Sequence, residues 1–226
     1  MDVIEVVPGL RMLRFPVGAA YLWRDGDELT LIDTGTADCA AMIEEVLEVE
    51  GGLLRRIVLT HWHEDHAGSA AELADRQGAE VVAHRLEAPV ISGHEAGAPP
   101  VLEDFEVPIR AAVPTLPPAP PCRVDREVES GDLLEFGGGA GVVAVPGHTD
   151  GSIALHLPGP GVLFTGDAVA NVGRTMLGVF NTDRAQAIAS LHRLAELKAE
   201  TAVFGHGDPI RQGAWAALRI AADATK

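Results

Sequence analysis

The chain has 226 residues, with 33 acidic and 17 basic side chains and a formal net charge of −16, so its surface field repels phosphate backbones and anionic membranes. That argues against nucleic acid or a membrane as partner, and no apolar run approaches the roughly 18 residues of a membrane span. The length fits one domain over residues 1–226 with a single large core.

The amino end, "MDVIEVVPGLRMLRF", has no basic patch followed by an apolar stretch, so it does not read as a secretory signal. The spacing of Cys39 and Cys122 matches no metal site, and both are expected to be reduced and structural. A cytoplasmic location follows as the expectation.

Four short β-rich pieces come first, "VIEVV", "RMLRF", "AYLW" and "ELTLI", separated by Pro-Gly, Gly-Ala and Asp-Gly punctuation that predicts an antiparallel meander. From Ala37 to Glu50 the period changes. Ala40, Ile43, Val46 and Leu47 share one face and Glu44, Glu45 and Glu48 the other, an amphipathic helix stopped by Gly51-Gly52. "RRIVLT" reads as a buried strand, and Ser69 with Glu72 predicts a capping box opening the helix "AAELADRQ". After the strand "EVVAH", residues 88–121 hold nine of the fifteen prolines and are expected to form a long surface loop. Then come the strands "RVDREV", "DLLEF", "VVAVPG", "SIALHL" and "VLFTGD", and a helix carrying Ile188, Leu191, Leu194 and Ala195 on one face. "TAVFGHG" is a last strand and "AWAALRIAADA" a closing helix. Strands followed by helices, twice, predict an α/β fold, two sheets face to face with helices outside, in a four-layer sandwich.

Three of the nine histidines lie in "THWHEDHAGS", between a strand end and a helix start. On a strand, His61, His63 and Asp65 would face one way and His66 the other; on a helix, His61 and Asp65 would align and His63 would point away. A turn can gather all four, and imidazole nitrogen with carboxylate oxygen is a donor set for zinc and similar metals. Three more such residues end apolar strands beside glycine: His148 in "VVAVPGHTDGS", Asp167 in "VLFTGD" and His206 in "AVFGHGD". Glycine permits the sharp turn that would bring these strand ends to one rim.

With His61, His63, Asp65 and His66 in a His-x-His-x-Asp-His pattern, followed by His148, Asp167 and His206 and preceded by Asp33 in "LIDTG", the chain resembles the metallo-β-lactamase-fold superfamily over about residues 10 to 210. The resemblance implies one metal on His61, His63 and His148, a second on Asp65, His66 and His206, and Asp167 between them. The pair would be zinc first, with manganese or iron as alternatives, sharing a hydroxide that attacks a carbonyl or phosphoryl centre. Asp65 would also steer a proton. Asp33 is either an orienting residue behind the metal loop or an Asx turn closing "LTLI". His84 and His94 could reach a substrate, whereas His156 and His192 read as structural.

The fold hosts many chemistries, so it does not name the substrate. The acidic charge argues against a nuclease. The intact His63 argues against flavin-linked reductases, which carry Glu there. Glyoxalase II-like enzymes share all seven positions, but only Arg211, Arg219 and Lys226 supply positive charge in the 20 residues after His206, which puts glutathione specificity in doubt. The reading is a dinuclear metal-dependent hydrolase of a small ester, thioester or lactone. The alternatives are a mononuclear iron persulfide dioxygenase, to which "PGHTDGS" and "NVGRT" are similar, and a non-catalytic metal-binding domain. The loop at 88–121 is expected to cover the substrate or to make a homodimer contact.

Overall fold

The structure is a computed structural model that describes residues 1–225. Its first sheet begins with the meander β1 (Asp2–Val7), β2 (Leu10–Arg14), β3 (Ala19–Asp25) and β4 (Glu28–Ile32), each strand antiparallel to the one before. Parallel pairing needs a crossover, often a helix. Accordingly α1 (Ala40–Glu50) leads to β5 (Leu53–Val58), and α2 (Glu64–Ala67) with α3 (Ala70–Gln77) leads to β6 (Glu80–His84). After α4 (Ala88–Ile91) and α5 (Glu106–Ala112), β7 (Arg126–Val128) closes this seven-stranded sheet parallel to β6.

The second sheet contains β8 (Leu133–Leu134), β9 (Ala140–Ala144), β10 (Ile153–Leu157) and β11 (Val162–Phe164). A small hairpin follows, β12 (Val169–Asn171) and β13 (Thr175–Leu177), then α6 (Arg184–Ala195), β14 (Thr201–Val203) and α7 (Ala214–Asp223). Its strand order is β14-β11-β10-β9-β8, with only β14 pairing in parallel, against β11.

Both sheets are covered on both faces, and β3 shows how alternation directs this. Ala20 and Leu22 pack with Ile43, Leu47 and Leu73 from the helices on the outer side. Ala19, Tyr21 and Trp23 turn inward to meet Val142, Leu155 and Phe164 of the second sheet. A third core joins the outer face of the second sheet, through Ala154, Leu163 and Ala202, to Leu191 and Leu194 of α6 and Leu218 of α7. Three cores between helix, sheet, sheet and helix are the expected four-layer sandwich. Among the described residues no helix is long and apolar enough to cross a membrane.

Several local expectations change. Ser69 occupies the N-cap of α3, but its hydroxyl makes no capping bond. It donates to the Thr36 carbonyl at 2.6 Å and accepts from Cys39 N–H at 3.2 Å, and Glu72 pairs with Arg76. The hydroxyl is drawn away because the turn before α1, closed by the bond from Cys39 N–H to the Thr36 carbonyl at 3.0 Å, lies against it and shares both groups with it. The stretch 88–121 is not wholly irregular, since Pro89 and Pro108 sit in the first turns of α4 and α5, where a proline removes no helical bond. "RVDREV" joins the first sheet, and the hairpin of β12 and β13 was not foreseen.

Leu155 is fully buried between the two sheets, where truncation leaves a cavity. Leu155→Ala is expected to lower the unfolding free energy by about 2–5 kcal/mol in a denaturant titration. Val49→Ser, 86% exposed, should stay within about 0.5 kcal/mol. Equal effects would contradict the assignment of the core.

Candidate metal centre

Every candidate ligand lies just beyond the end of a strand. His61 and His63 follow β5, and His63 is the N-cap of α2, whose single turn carries Asp65 and His66. His148 lies in the connection from β9 to β10, Asp167 in the 3-10 turn after β11, and His206 after β14. Two glycines make the approach close enough. Gly147 has φ +130°, and a Cβ there would enter the backbone of Ala187 in α6; a Cβ at Gly205 would overlap the Asp167 carboxylate and lie 2.6 Å from the His66 ring.

All seven predicted side chains meet. His63 Nδ1 lies 3.0 Å from His61 Nε2 and 2.9 Å from His148 Nε2. His148 Nε2 is 3.6 Å from Asp167 Oδ2, which is 3.2 Å from His206 Nε2. His206 Nε2 is in turn 3.2 Å from Asp65 Oδ2, and His66 Nε2 is 3.3 Å from Asp167 Oδ1 and 3.9 Å from Asp65 Oδ2. Three sets have ligand atoms mutually within 4.8 Å: His61, His63 and His148; Asp65, His66 and His206; and, between them, His61, His66 and Asp167.

The hydrogen bonds behind these rings fix where their lone pairs point. His148 Nδ1 faces the Val179 carbonyl at 3.1 Å, which can only accept, so Nδ1 carries the proton and Nε2 is bare. Thr60 Oγ1 donates to Asp33 Oδ2 at 2.8 Å, leaving its oxygen to accept from His61 Nδ1 at 3.1 Å. His61 Nε2 is therefore bare as well. Both face His63 Nδ1, which has at most one proton to share. At least one pair of nitrogen lone pairs thus abuts inside about 3 Å.

The other half shows the same deficit. His66 Nδ1 donates to Asp33 Oδ2 at 2.8 Å, while His66 Nε2 and Asp167 Oδ1 are buried and face each other at 3.3 Å without the alignment of a hydrogen bond. Unsatisfied buried polar atoms are rare and costly. Convergent bare imidazoles beside orphaned carboxylate oxygen are what a divalent cation satisfies, so the donor set fits a metal.

The electrostatics divide along the same line. Burial, followed by the neighbouring imidazoles, holds His61 well below the usual histidine range, and burial with His148 pushes His63 down to about 3. Burial also lowers His148. These three are neutral, the form that ligates a metal. Asp167 is the main cause of raising His206 to about 10, and for His66 the carboxylates of Asp167, Asp33 and Asp65 outweigh burial and raise it. Burial works against ionising Asp65, but His66 and His206 outweigh it and hold Asp65 down to about 2. The Asp65–His66–His206 end is thus rich in negative charge and the three-histidine end poor in it.

Asp33, with φ +60°, accepts from Thr60 N–H and Thr60 Oγ1 as well as from His66, all at 2.8 Å. It orients His66 directly and His61 through Thr60, and touches none of the converging atoms. His84 is buried with Nδ1 accepting from Leu86 N–H at 3.3 Å, and His94 bonds the Ser92 hydroxyl; neither joins the cluster. His192 is exposed on α6, and His156 is half-buried on β10. Sequence reasoning missed Thr60, Val179 and Glu87, which hold the ligand loops through hydrogen bonds that no spacing announces.

Comparison with known proteins places these features. A family model described as the metallo-beta-lactamase superfamily matches residues 13–206. The hydroxyacylglutathione hydrolase of Rhodobacter capsulatus is 34% identical over 189 residues, covering 83% of this chain and 61% of that protein. The chain spans about three fifths of the length of this relative and of another from Hyphomonas neptunium. The probable metallo-hydrolase YflN of Bacillus subtilis is 29% identical, with 91% of this chain and 86% of that protein covered. Among solved structures, the metallo-beta-lactamase family protein TTHA1429 of Thermus thermophilus superposes with a TM-score of 0.70 at 27% identity, covering 97% of this chain and 79% of that one. TTHA1623 in a di-iron-bound form gives 0.67 at 30% identity, covering 87% and 91%. The matched span begins in β2 and ends on His206, the last member of the cluster, and the chain belongs to the metallo-beta-lactamase superfamily.

Proposed function

We propose that the protein is a dinuclear metal-dependent hydrolase of a small ester, thioester or lactone. The observation that carries this reading is the convergence of all seven side chains, His206 included, around buried atoms that lack partners. His61, His63 and His148 would hold one ion, Asp65, His66 and His206 a second, and Asp167 both. When bound, such a pair supplies water activated at neutral pH and positive charge for a developing oxyanion. Support for a thioester comes from the hydroxyacylglutathione hydrolases among the relatives, and support for two metals from the di-iron form of TTHA1623. Zinc is the first candidate, with manganese or iron as alternatives.

The residues themselves orient and move protons. In hydrolysis the water oxygen bonds to the acyl carbon, the bond to sulfur or oxygen breaks, and a proton reaches the departing atom. Asp65 Oδ2, 3.2 Å from His206 Nε2, is the carboxylate that would pass a water proton on, and His66 and His206, which hold its pKa low, make it a weak base that carries the proton only transiently. Asp33 keeps His66 turned inward, and the Val179 carbonyl does the same for His148. His206, with about a third of its side chain exposed, marks the open side from which substrate enters.

The segment 88–121 packs against the loops beside the three-histidine half, where it would form a wall of the substrate site. Gly97 lies against the Trp62 ring, which a Cβ there would penetrate, and Glu106 accepts from Phe180 N–H at 3.0 Å, next to the Val179 that orients His148. Val101, Leu102 and Phe105 are exposed on it and offer apolar surface to an acyl group.

His206→Ala is expected to remain folded and to lose at least about two orders of magnitude in turnover, about 3 kcal/mol of transition-state stabilisation. Turnover of thioester or lactone by the wild type should be unchanged without dioxygen. Iron as the sole metal required, oxygen consumption with a persulfide and retention of activity by His206→Ala would together overturn the hydrolase reading. Replacing Val101, Leu102 and Phe105 together with Ser should raise KM or shift substrate preference. Unaltered kinetics with conversion of a dimer to a monomer would instead assign the wall to a subunit contact.

A further inference from the structure

The loop bearing His61 and His63 belongs to the first sheet and the loop bearing His148 to the second, so their separation depends on contacts across the sandwich. One is a backbone bond, from Ile153 N–H to the Thr60 carbonyl at 3.0 Å. Another, beyond the approach of the imidazoles themselves, runs through a single side chain, Glu87, which is 1% exposed and stands at the N-cap of α4. Its Oε2 accepts from Trp62 N–H at 2.8 Å. Its Oε1 accepts from Gly151 N–H at 2.8 Å and from the Thr149 hydroxyl at 2.9 Å.

Trp62 separates His61 from His63, and Thr149 follows His148. One carboxylate therefore grips both sides of the three-histidine cluster without touching a histidine of it. The loop is pressed onto the carboxylate: a Cβ at Gly151 would lie 2.7 Å from Glu87 Oε1 and 2.9 Å from His84 Nδ1. Among the described residues no Lys, Arg or His forms a salt bridge with Glu87, so three donors are its compensation for burial. Burial raises its pKa, and the bonds from Thr149, Gly151 and Trp62 pull the other way. An apolar residue here would leave two main-chain N–H groups without acceptors, at a cost of about 1–3 kcal/mol each.

We propose that Glu87 is a positioning residue for the three-histidine half of the metal centre, setting the distance between His148 and the His61/His63 pair. The proposal rests on the dinuclear reading above. The other half has separate supports. Asp33 holds His66, and the Tyr21 hydroxyl, donating to the Phe204 carbonyl at 2.6 Å, fixes the strand end that leads to His206. Loss of Glu87 should therefore weaken one ion and spare the other.

The test is a competition titration of metal-free wild type and Glu87→Gln with zinc against a chromophoric chelator, with circular dichroism confirming the fold. Glutamine keeps the shape but turns an NH2 group toward a donor. The wild type should take up two ions, and the variant should bind one of them about 10- to 100-fold more weakly, the range for residues that orient metal ligands. In a His206→Ala background, which leaves the three-histidine half intact, Glu87→Gln should weaken the remaining ion by the same factor. If Glu87→Gln does not fold, Thr149→Val, which removes one donor, should give a several-fold loss at that ion alone. Two unaltered ions, or equal weakening of both, would overturn the role of Glu87 while leaving the dinuclear centre standing. A wild type that binds no zinc would overturn both.

Discussion

Two bare imidazole nitrogens aimed at a third, beside a buried carboxylate oxygen with no well-formed hydrogen bond, form an arrangement that packing and hydrogen bonding alone leave unsatisfied. Isolated buried charges and unpaired polar atoms each cost on the order of several kcal/mol. A fold holds such a cluster together only if something positive resides within it or if the surrounding bonds are strong enough to oppose its dispersal. The rest of the structure can be understood as supplying the second condition so that the first can be met. Asp33, Thr60 and Val179 turn the rings inward from behind, and Glu87 ties the two loops across the sheets.

The sandwich places these supports where they are needed. Because β3, β5, β10 and β11 are buried on both faces, neither sheet can slip by one residue without sending its inward set outward. Strand ends on one rim thereby keep their positions to within the tolerance of a metal site. The glycines at 147 and 205 let two ligand-bearing turns approach helix α6 and the Asp167 carboxylate closely. Stability and chemistry thus share one cause, the register of two sheets that bury apolar side chains between them.

How much of this was legible beforehand depended on whether the signal was local. His61, His63, Asp65 and His66 are readable because four donors within six residues are improbable on any ordinary surface. His148, Asp167 and His206 are readable because each ends an apolar strand beside glycine. Layer order followed from alternating strands and amphipathic helices. Asp33 was ambiguous because an acid at a strand end suits an Asx turn equally well, and only the 2.8 Å contacts to Thr60 and His66 separate the two. Ser69 misled because its capping pattern was genuine while the loop at Thr36 competed for the same hydroxyl. Glu87 gave no signal at all: a lone acid before a proline-rich stretch resembles surface until its three donors, distant in sequence, are brought to it by folding.

The central claim is that these seven side chains form one two-metal site bridged by Asp167. Crystals of zinc-loaded protein, with diffraction recorded on both sides of the zinc absorption edge, test it most directly. The account predicts two anomalous peaks, one against His61, His63 and His148 and the other against Asp65, His66 and His206, with Asp167 contacting both. A single peak, or two peaks of which neither touches Asp167, would contradict it.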